Sequence, residues 1–230
     1  MNQIVTKGIV LTRTDYGEAD RILTIITPDQ GKIRVIAKGV RKIKSKLAGG
    51  IELFSVSDVS YIAGRKEIGT LVSTRLDVHY EAIVADLDRT MFGYELLKRI
   101  NRATEDAAGE EYFDVLHQSL EALNSGIELG LLELWFTSRL LTFAGHQPNL
   151  RTDARQQSLS DSARFSFDFD NMCFTPAESG TFKQEHIKLL RLAEAATPQQ
   201  LASVQGADQY GQALQPLLAT LLKQHLSHVS

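Results

Sequence analysis

The 230-residue chain predicts an α+β fold. Residues 1–80 read as a small five-stranded barrel, closed or half-closed, and residues 81–230 as a helical domain. Two observations carry this. Apolar residues follow short strand-like runs up to His79 and step by three and four after Tyr80. The charge changes at the same place: residues 1–80 hold 13 Lys and Arg against 8 Asp and Glu, a net of +5, and residues 81–230 hold 12 against 20, a net of −8.

The first strand is the β-branched stretch Val5 to Thr12. The Asp15-Tyr16-Gly17 turn leads to a second, Arg21 to Thr27. Pro28-Asp29-Gln30-Gly31 is a further turn, with Gly31 free to take positive φ. In the third strand, Ile33 to Lys38, Ile33, Val35 and Ala37 face one way and Arg34, Ile36 and Lys38 the other. Residues 39–50 read as a loop from their glycines and charges. Leu53 to Ile62 and Ile68 to Val78 complete the barrel, joined through Ala63-Gly64-Arg65-Lys66; in the last strand Ile68, Thr70, Val72, Thr74 and Leu76 share a face.

Helical spacing then sets in with Ile83, Leu87, Met91, Tyr94 and Leu97. It recurs at Phe113, Leu116, Leu120 and Leu123, and at Leu132, Phe136, Leu140 and Phe143. Periodicity is lost over residues 147–181, an irregular loop holding a Phe165-Ser166-Phe167-Asp168-Phe169 alternation that predicts a short hairpin. Helices resume over residues 185–196 and 211–225, the last with Leu214, Leu218 and Leu222 on one stripe.

At 43% apolar residues the chain can bury a core, and global disorder is excluded. Met1-Asn2-Gln3-Ile4-Val5 lacks the basic start of a signal peptide, and no apolar run is long enough to span a bilayer. Cys173 is the sole cysteine, which excludes an internal disulfide and a cysteine cluster for zinc. These features point to a cytoplasmic protein.

The most informative stretch is basic. Lys32, Arg34, Lys38, Arg41, Lys42, Lys44 and Lys46 follow one another with no Asp or Glu among them. Phosphates tolerate any geometry that brings cations close, so a lysine-rich loop suits contact with a nucleic-acid backbone. The competing readings are a solvated loop and a surface for an acidic protein partner. Arg34 and Lys38 extend the positive surface onto the barrel, and Arg65 and Lys66 form another edge of it. The aromatic residues of this half are Tyr16, Phe54, Tyr61 and Tyr80, without a Trp, so affinity is expected to come mainly from charge.

Residues 15–24, Asp-Tyr-Gly-Glu-Ala-Asp-Arg-Ile-Leu-Thr, then Gly31, Ala37-Lys38-Gly39, Lys44-Ser45-Lys46-Leu47-Ala48-Gly49 and Phe54, resemble in order and spacing the N-terminal pattern of the bacterial recombination mediator family RecO. The resemblance is close over about the first 80 residues and looser beyond. It implies an OB-fold barrel on a helical domain, with no cofactor. It also implies binding of single- and double-stranded DNA, annealing of complementary strands, and work with RecR and the single-strand-binding protein SSB to load RecA, in the bacterial cytoplasm at the nucleoid. An RNA-binding OB module and an interaction adaptor without nucleic-acid binding remain the alternatives.

Many members of that family carry a four-cysteine zinc motif after the helix that corresponds to residues 131–144. Here Asp153 and Gln156 occupy the first Cys-x-x-Cys positions, and Cys173 alone cannot supply four thiolates, so the loop is expected to be zinc-less. His146 and Cys173 would make at most a two-ligand remnant; the preferred reading is a solvent-facing His and a small buried thiol. Catalytic motifs are likewise missing: there is no P-loop, no Gly-x-Ser-x-Gly and no His-Glu-x-x-His. The expected protein is not an enzyme. Glu18, Asp20 and Arg21 read as a turn held by ion pairs.

In the helical domain the resemblance implies a receptor for the acidic, apolar C-terminal tail of SSB, which needs an apolar groove with a cation at its edge. Trp135, Phe136, Arg139 and Leu140 are the candidates, with Arg139 as carboxylate partner. The alternative is that Trp135 and Phe136 are core.

Overall fold

The computed structural model describes residues 3–64, 68–104, 109–159 and 164–226. Five strands close into a barrel in the order β1 (Gln3–Tyr16), β2 (Asp20–Thr27), β3 (Gly31–Ala37), β5 (Ile68–His79), β4 (Ser55–Ile62). β3 and β5 run parallel, with Arg34 opposite Ile68, and the other barrel ladders are antiparallel. This is the five-stranded barrel expected of an OB-fold.

β1 serves two neighbours. Its first half pairs with β4, Gln3 opposite Ile62, and its second half with β2, Tyr16 opposite Asp20. A bulge between Val10 and Thr12 bends the strand from one partner to the other. Gly8 permits the close approach there, since a Cβ on it would lie 2.5 Å from Ile25 Cγ2.

Val10, Leu23, Ile25, Val35, Ala37, Val59, Tyr61 and Leu71 fill the barrel, and Val40 and Ile51 plug it from the β3–β4 connection. The inward Val35 and Ala37 and outward Arg34 and Lys38 follow the alternation of the sequence. β5 departs from it. Tyr61 pairs with Leu71 and Ser60 with Ser73, so Val72 is looped out of the ladder; Leu71 is buried and Val72 exposed. A bulge shifts the inward-facing set by one residue, which alternation alone cannot register.

Phe54 has a φ of 56° and delays β4 to Ser55. Its buried ring stands edge-on to Tyr94 with centroids 5.2 Å apart. That contact seats the second helix of the chain. α1 (Glu81–Val84), α2 (Leu87–Ala103) and α3 (Glu110–Ser125) belong to the same compact unit as the barrel, which ends at residue 125. Ala82 N–H donates to Asn124 Oδ1 at 3.0 Å, and the Arg89 guanidinium donates to the Leu123 carbonyl, tying α1 and α2 to the end of α3. Asp86 caps α2 by accepting from Arg89 N–H at 2.9 Å.

The buried face of α2 is Gly93, Leu96, Leu97 and Ile100. Leu87, Met91 and Tyr94, which continue the apolar spacing of the sequence, are 75%, 58% and 45% exposed. Phe54 packs over Gly93 and against one edge of Tyr94, which leaves Leu87 and Met91 uncovered.

The second unit begins at residue 126 and holds α4 (Leu129–Phe143), the hairpin β6 (Phe165–Asp168) and β7 (Cys173–Pro176), α5 (Gln184–Ala195), α6 (Pro198–Ala202) and α7 (Ala207–His225). α4 is apolar nearly all round and packs on α5, α6 and α7. The hairpin is where the Phe165–Phe169 alternation predicts it. Phe167, Phe174 and Phe182 meet edge-on in sequence, with centroids 5.0 and 5.4 Å apart.

Candidate nucleic-acid interface

The basic segment is built by its backbone. Gly39 turns the chain out of β3 with a φ of 64°. Its N–H donates to Asp20 Oδ1 at 2.7 Å, and Arg41 N–H donates to Ala19 O at 2.9 Å. The loop is therefore moored to the β1–β2 hairpin. Ser45 N–H donates to Lys42 O at 2.9 Å, and the Thr74 hydroxyl donates to Leu47 O at 3.2 Å. Val40, Leu47 and Ile51 pack against the barrel core on either side of these turns.

That anchoring leaves the cations outside. Arg34, Lys38, Arg41, Lys42, Lys44 and Lys46 are all exposed. Lys32 is the exception: its ammonium donates to Asn101 O at 2.9 Å and to Thr104 O, at the end of α2. It is thus committed to a helix terminus, with Arg34 the first of the series to face solvent.

Elsewhere on the barrel, the described cations have carboxylate partners. Lys7 pairs with Asp77 and Asp58, Arg13 with Glu52 at 2.8 Å, Arg21 with Asp15 at 2.8 Å and Arg75 with Asp58 at 2.6 Å. Among the described residues Arg34, Lys38, Lys42, Lys44 and Lys46 form no ion pair, and Arg41 makes one long contact of 3.5 Å to Asp15. Asp15 accepts from Arg21 and lies near Arg41, which holds its carboxyl below the usual range. The positive charge is therefore concentrated on the β3 face and the loop after it. Arg65 and Lys66, the expected second edge of the surface, lie outside the described residues.

The family model for the N-terminal region of recombination protein O matches residues 1–77, and that for its C-terminal region matches residues 84–230. The chain belongs to the recombination protein O family. It is 34% identical over 164 residues to the "DNA repair protein RecO" of Dehalococcoides mccartyi strain 195, covering 70% of this chain and 64% of that one. Against the protein of the same name from Bacillus cytotoxicus it is 31% identical over 192 residues, 81% of this chain and 77% of the relative. Against that of Roseiflexus sp. strain RS-1 it is 37% identical over 146 residues, 63% of this chain and 51% of the relative. The match thus spans between half and two thirds of the Dehalococcoides and Roseiflexus relatives.

The partner groove read from the RecO resemblance is not built on α4. Trp135, Phe136 and Leu140 are 1%, 0% and 2% exposed, and Trp135 Nε1–H donates to Ala196 O at 2.8 Å. They are core, because α4 is packed on all sides. Arg139 is half-buried: its Nη1–H donates to Glu194 O at 2.6 Å, and its guanidinium lies 5.2 Å from the Phe143 ring centroid. Sequence spacing missed a different feature of this unit, a 240 Å³ apolar cavity between α5 and the start of α7. Leu189, Leu192, Val204 and Tyr210 line it, with Lys188 and Glu185 at its edge. Its walls come from segments too far apart in sequence for periodicity to pair them.

The residues at the RecO zinc positions do not suit a tetrahedral metal. Asp153 turns its Oδ1 onto Arg155 N–H and Gln157 N–H, both at 2.9 Å, and is itself buried. The Cys173 thiol is buried and pushed above its ordinary pKa by burial, then by the charges of Asp168 and Asp153. His146 stacks on His225 with centroids 4.6 Å apart. Among the described residues no group of three or more His, Cys, Asp or Glu converges as a metal site would require. The turn at Asp153 is instead held by its own carboxylate. No described helix is long and apolar enough to cross a membrane.

Proposed function

We propose that this chain is a DNA-repair protein that holds DNA by its phosphates and anneals complementary strands without enzymatic chemistry. The single observation that carries the reading is the contrast in pairing among the described residues: the other barrel cations are neutralised, whereas Arg34, Lys38, Lys42, Lys44 and Lys46 are exposed and form no ion pair. Such a surface screens the repulsion between two backbones and leaves the bases to find each other. With about five phosphates engaged at a slope of about −0.7 each, affinity for a single strand falls roughly 100-fold between about 50 and 200 mM salt.

The test is annealing of complementary strands, bare and SSB-coated, across a salt series. Replacing Arg41, Lys42, Lys44 and Lys46 together by Ala is expected to abolish annealing and flatten the salt dependence while the protein stays folded. Undiminished DNA affinity in that variant would refute the reading. Preference for structured RNA over DNA at equal salt would favour an RNA-binding module, and no shift with either nucleic acid would favour an adaptor.

Partnership with RecR, and through SSB with RecA, is the family expectation. The exposed stripe of Leu87, Met91 and Tyr94 supports a protein partner on the first unit. The apolar cavity lined by Leu189, Leu192, Val204 and Tyr210 suits the apolar part of the SSB tail better than the buried α4 residues do, with Lys188 as its cation and Glu185 as an opposing charge. A Lys188→Glu variant is expected to lose binding of a peptide carrying that tail, whereas Trp135→Ala should act through stability alone.

A further inference from the structure

The strand register places an aromatic residue on the cationic face. Residues paired across strands project to the same side of a sheet, as do alternate residues along one strand. Thr12 pairs with Thr24 and Thr24 with Arg34; Thr14 pairs with Ile22 and Ile22 with Ile36. Tyr16 is the next residue on that side of β1, opposite Asp20. Arg34, Ile22, Ile36, Asp20 and Tyr16 therefore share one face, opposite to the buried Leu23 and Val35, and Lys38 is exposed in the turn that follows β3.

The face is mixed in a useful way. Ile22 and Ile36 are half-buried in its middle, Arg34 and Lys38 are exposed on the β3 side, and Tyr16 is 55% exposed on the β1 side. The Tyr16 ring makes no stacking contact with another described aromatic. Its hairpin is moored to the cationic loop by the Arg41–Ala19 and Gly39–Asp20 hydrogen bonds, which commit one oxygen of the Asp20 carboxylate to the protein. A large amphipathic ring is thus held in solvent on the same side of the sheet as the unpaired Arg34, two strands across and four residues along.

Resting on the DNA-binding reading above, we infer that Tyr16, backed by Ile22 and Ile36, is a stacking platform for an unpaired base whose backbone lies along Arg34 and Lys38. Charge gives no preference for one strand over the more densely charged duplex, but a ring can stack only on a base that has left its duplex. The platform gives the barrel a preference for single strands that its cations cannot supply.

The experiment is equilibrium binding of a labelled oligo-dT and of a labelled duplex, across a salt series, to the wild-type chain, Tyr16→Ala and Tyr16→Phe. Losing one stacked base is expected to weaken single-strand binding on the order of 5- to 150-fold in Tyr16→Ala. Duplex affinity and the slope of log affinity against log salt should stay unchanged, and Tyr16→Phe should bind like wild type. Equal losses for strand and duplex, or no loss for either, would overturn the platform while leaving phosphate binding in place. Failure of the wild-type chain to bind any DNA would overturn the DNA-binding reading, and the platform with it.

Discussion

Lys32 reaches from β3 to the end of α2, where its ammonium donates to the Asn101 carbonyl at 2.9 Å and also to Thr104 O. The last carbonyls of a helix lack partners and carry its negative dipole end, so a cation there is favoured twice. One residue of an apparently uniform basic run is thereby structural. Lys32→Met is expected to cost about 1.5–3 kcal/mol, the range for a hydrogen bond to a charged group. Denaturant unfolding measures that loss. The salt slope of DNA binding should not move; a slope reduced by about 0.7 would place Lys32 on a phosphate instead.

Gly93 and Phe54 make a prediction whose sign runs against helix propensity. Ala is normally better than Gly inside a helix by about 1 kcal/mol. Here a Cβ would stand 2.7 Å from Phe54 Cε1, on a ring that is itself buried. Gly93→Ala is therefore expected to destabilise by about 1–3 kcal/mol through overpacking. Shrinking the opposing ring with Phe54→Leu should remove part of that penalty, which a double-mutant cycle would detect.

What could be read in advance follows from the range of the interactions. Arg34 and Lys38 alternate with Val35 and Ala37 within one strand, so their outward placement needs only the pleat. Lys32 shows no sign of its role because its partners lie about seventy residues away in the chain. Leu87, Met91 and Tyr94 keep the spacing of a buried stripe, yet Gly93 and Phe54 decide which side of α2 is covered. Trp135 and Arg139 look like an anchor and a cation on one groove; the packing of α4 on three helices turns the first into core and the second into a partner for Glu194 O. Tyr16 joins the cationic face only through the β1–β2–β3 register, which no single strand encodes.

His186 makes the second unit sensitive to acid. It is buried, and its Nδ1 accepts from Lys183 N–H at 2.8 Å, which requires that nitrogen to be unprotonated. Burial lowers its pKa from the ordinary 6.5. The unfolded chain then binds a proton at a pH where the folded chain does not. Stability is full above about pH 6.5 and is lost as pH falls toward the depressed folded value. Unfolding free energy measured from pH 7.5 to 5 should decline for the wild type. It should decline less for His186→Phe, which keeps a ring between Phe182 and Tyr210 but cannot titrate. Parallel curves for the two proteins would discard the assignment.

Asp153 offers a metal-independent test of the loop after α4. Its carboxylate satisfies two backbone N–H groups of its own turn. Asp153→Ala leaves both donors without that acceptor and is expected to cost about 1–3 kcal/mol. Treating the wild-type chain with a strong chelator should leave its unfolding midpoint unchanged, and a chelator-induced drop would contradict the carboxylate-held turn.

Asp15 limits the charge of the basic loop at Arg41. It takes the Arg21 guanidinium at 2.8 Å and lies 3.5 Å from Arg41. Its carboxyl is held below the usual range by the Arg21 hydrogen bond first and by the Arg41 charge next. Replacing it removes a negative charge from the edge of the loop and leaves Arg41 without its carboxylate. Asp15→Asn is therefore expected to tighten DNA binding at low salt and to steepen the single-strand salt slope by up to about 0.7, one further phosphate contact. The same sign must hold with pH: acid that protonates Asp15 should narrow the gap between wild type and variant, and neutral pH should restore it. Weaker binding by Asp15→Asn would mean that its pairing with Arg21 positions the loop, and that this positioning outweighs the charge it cancels.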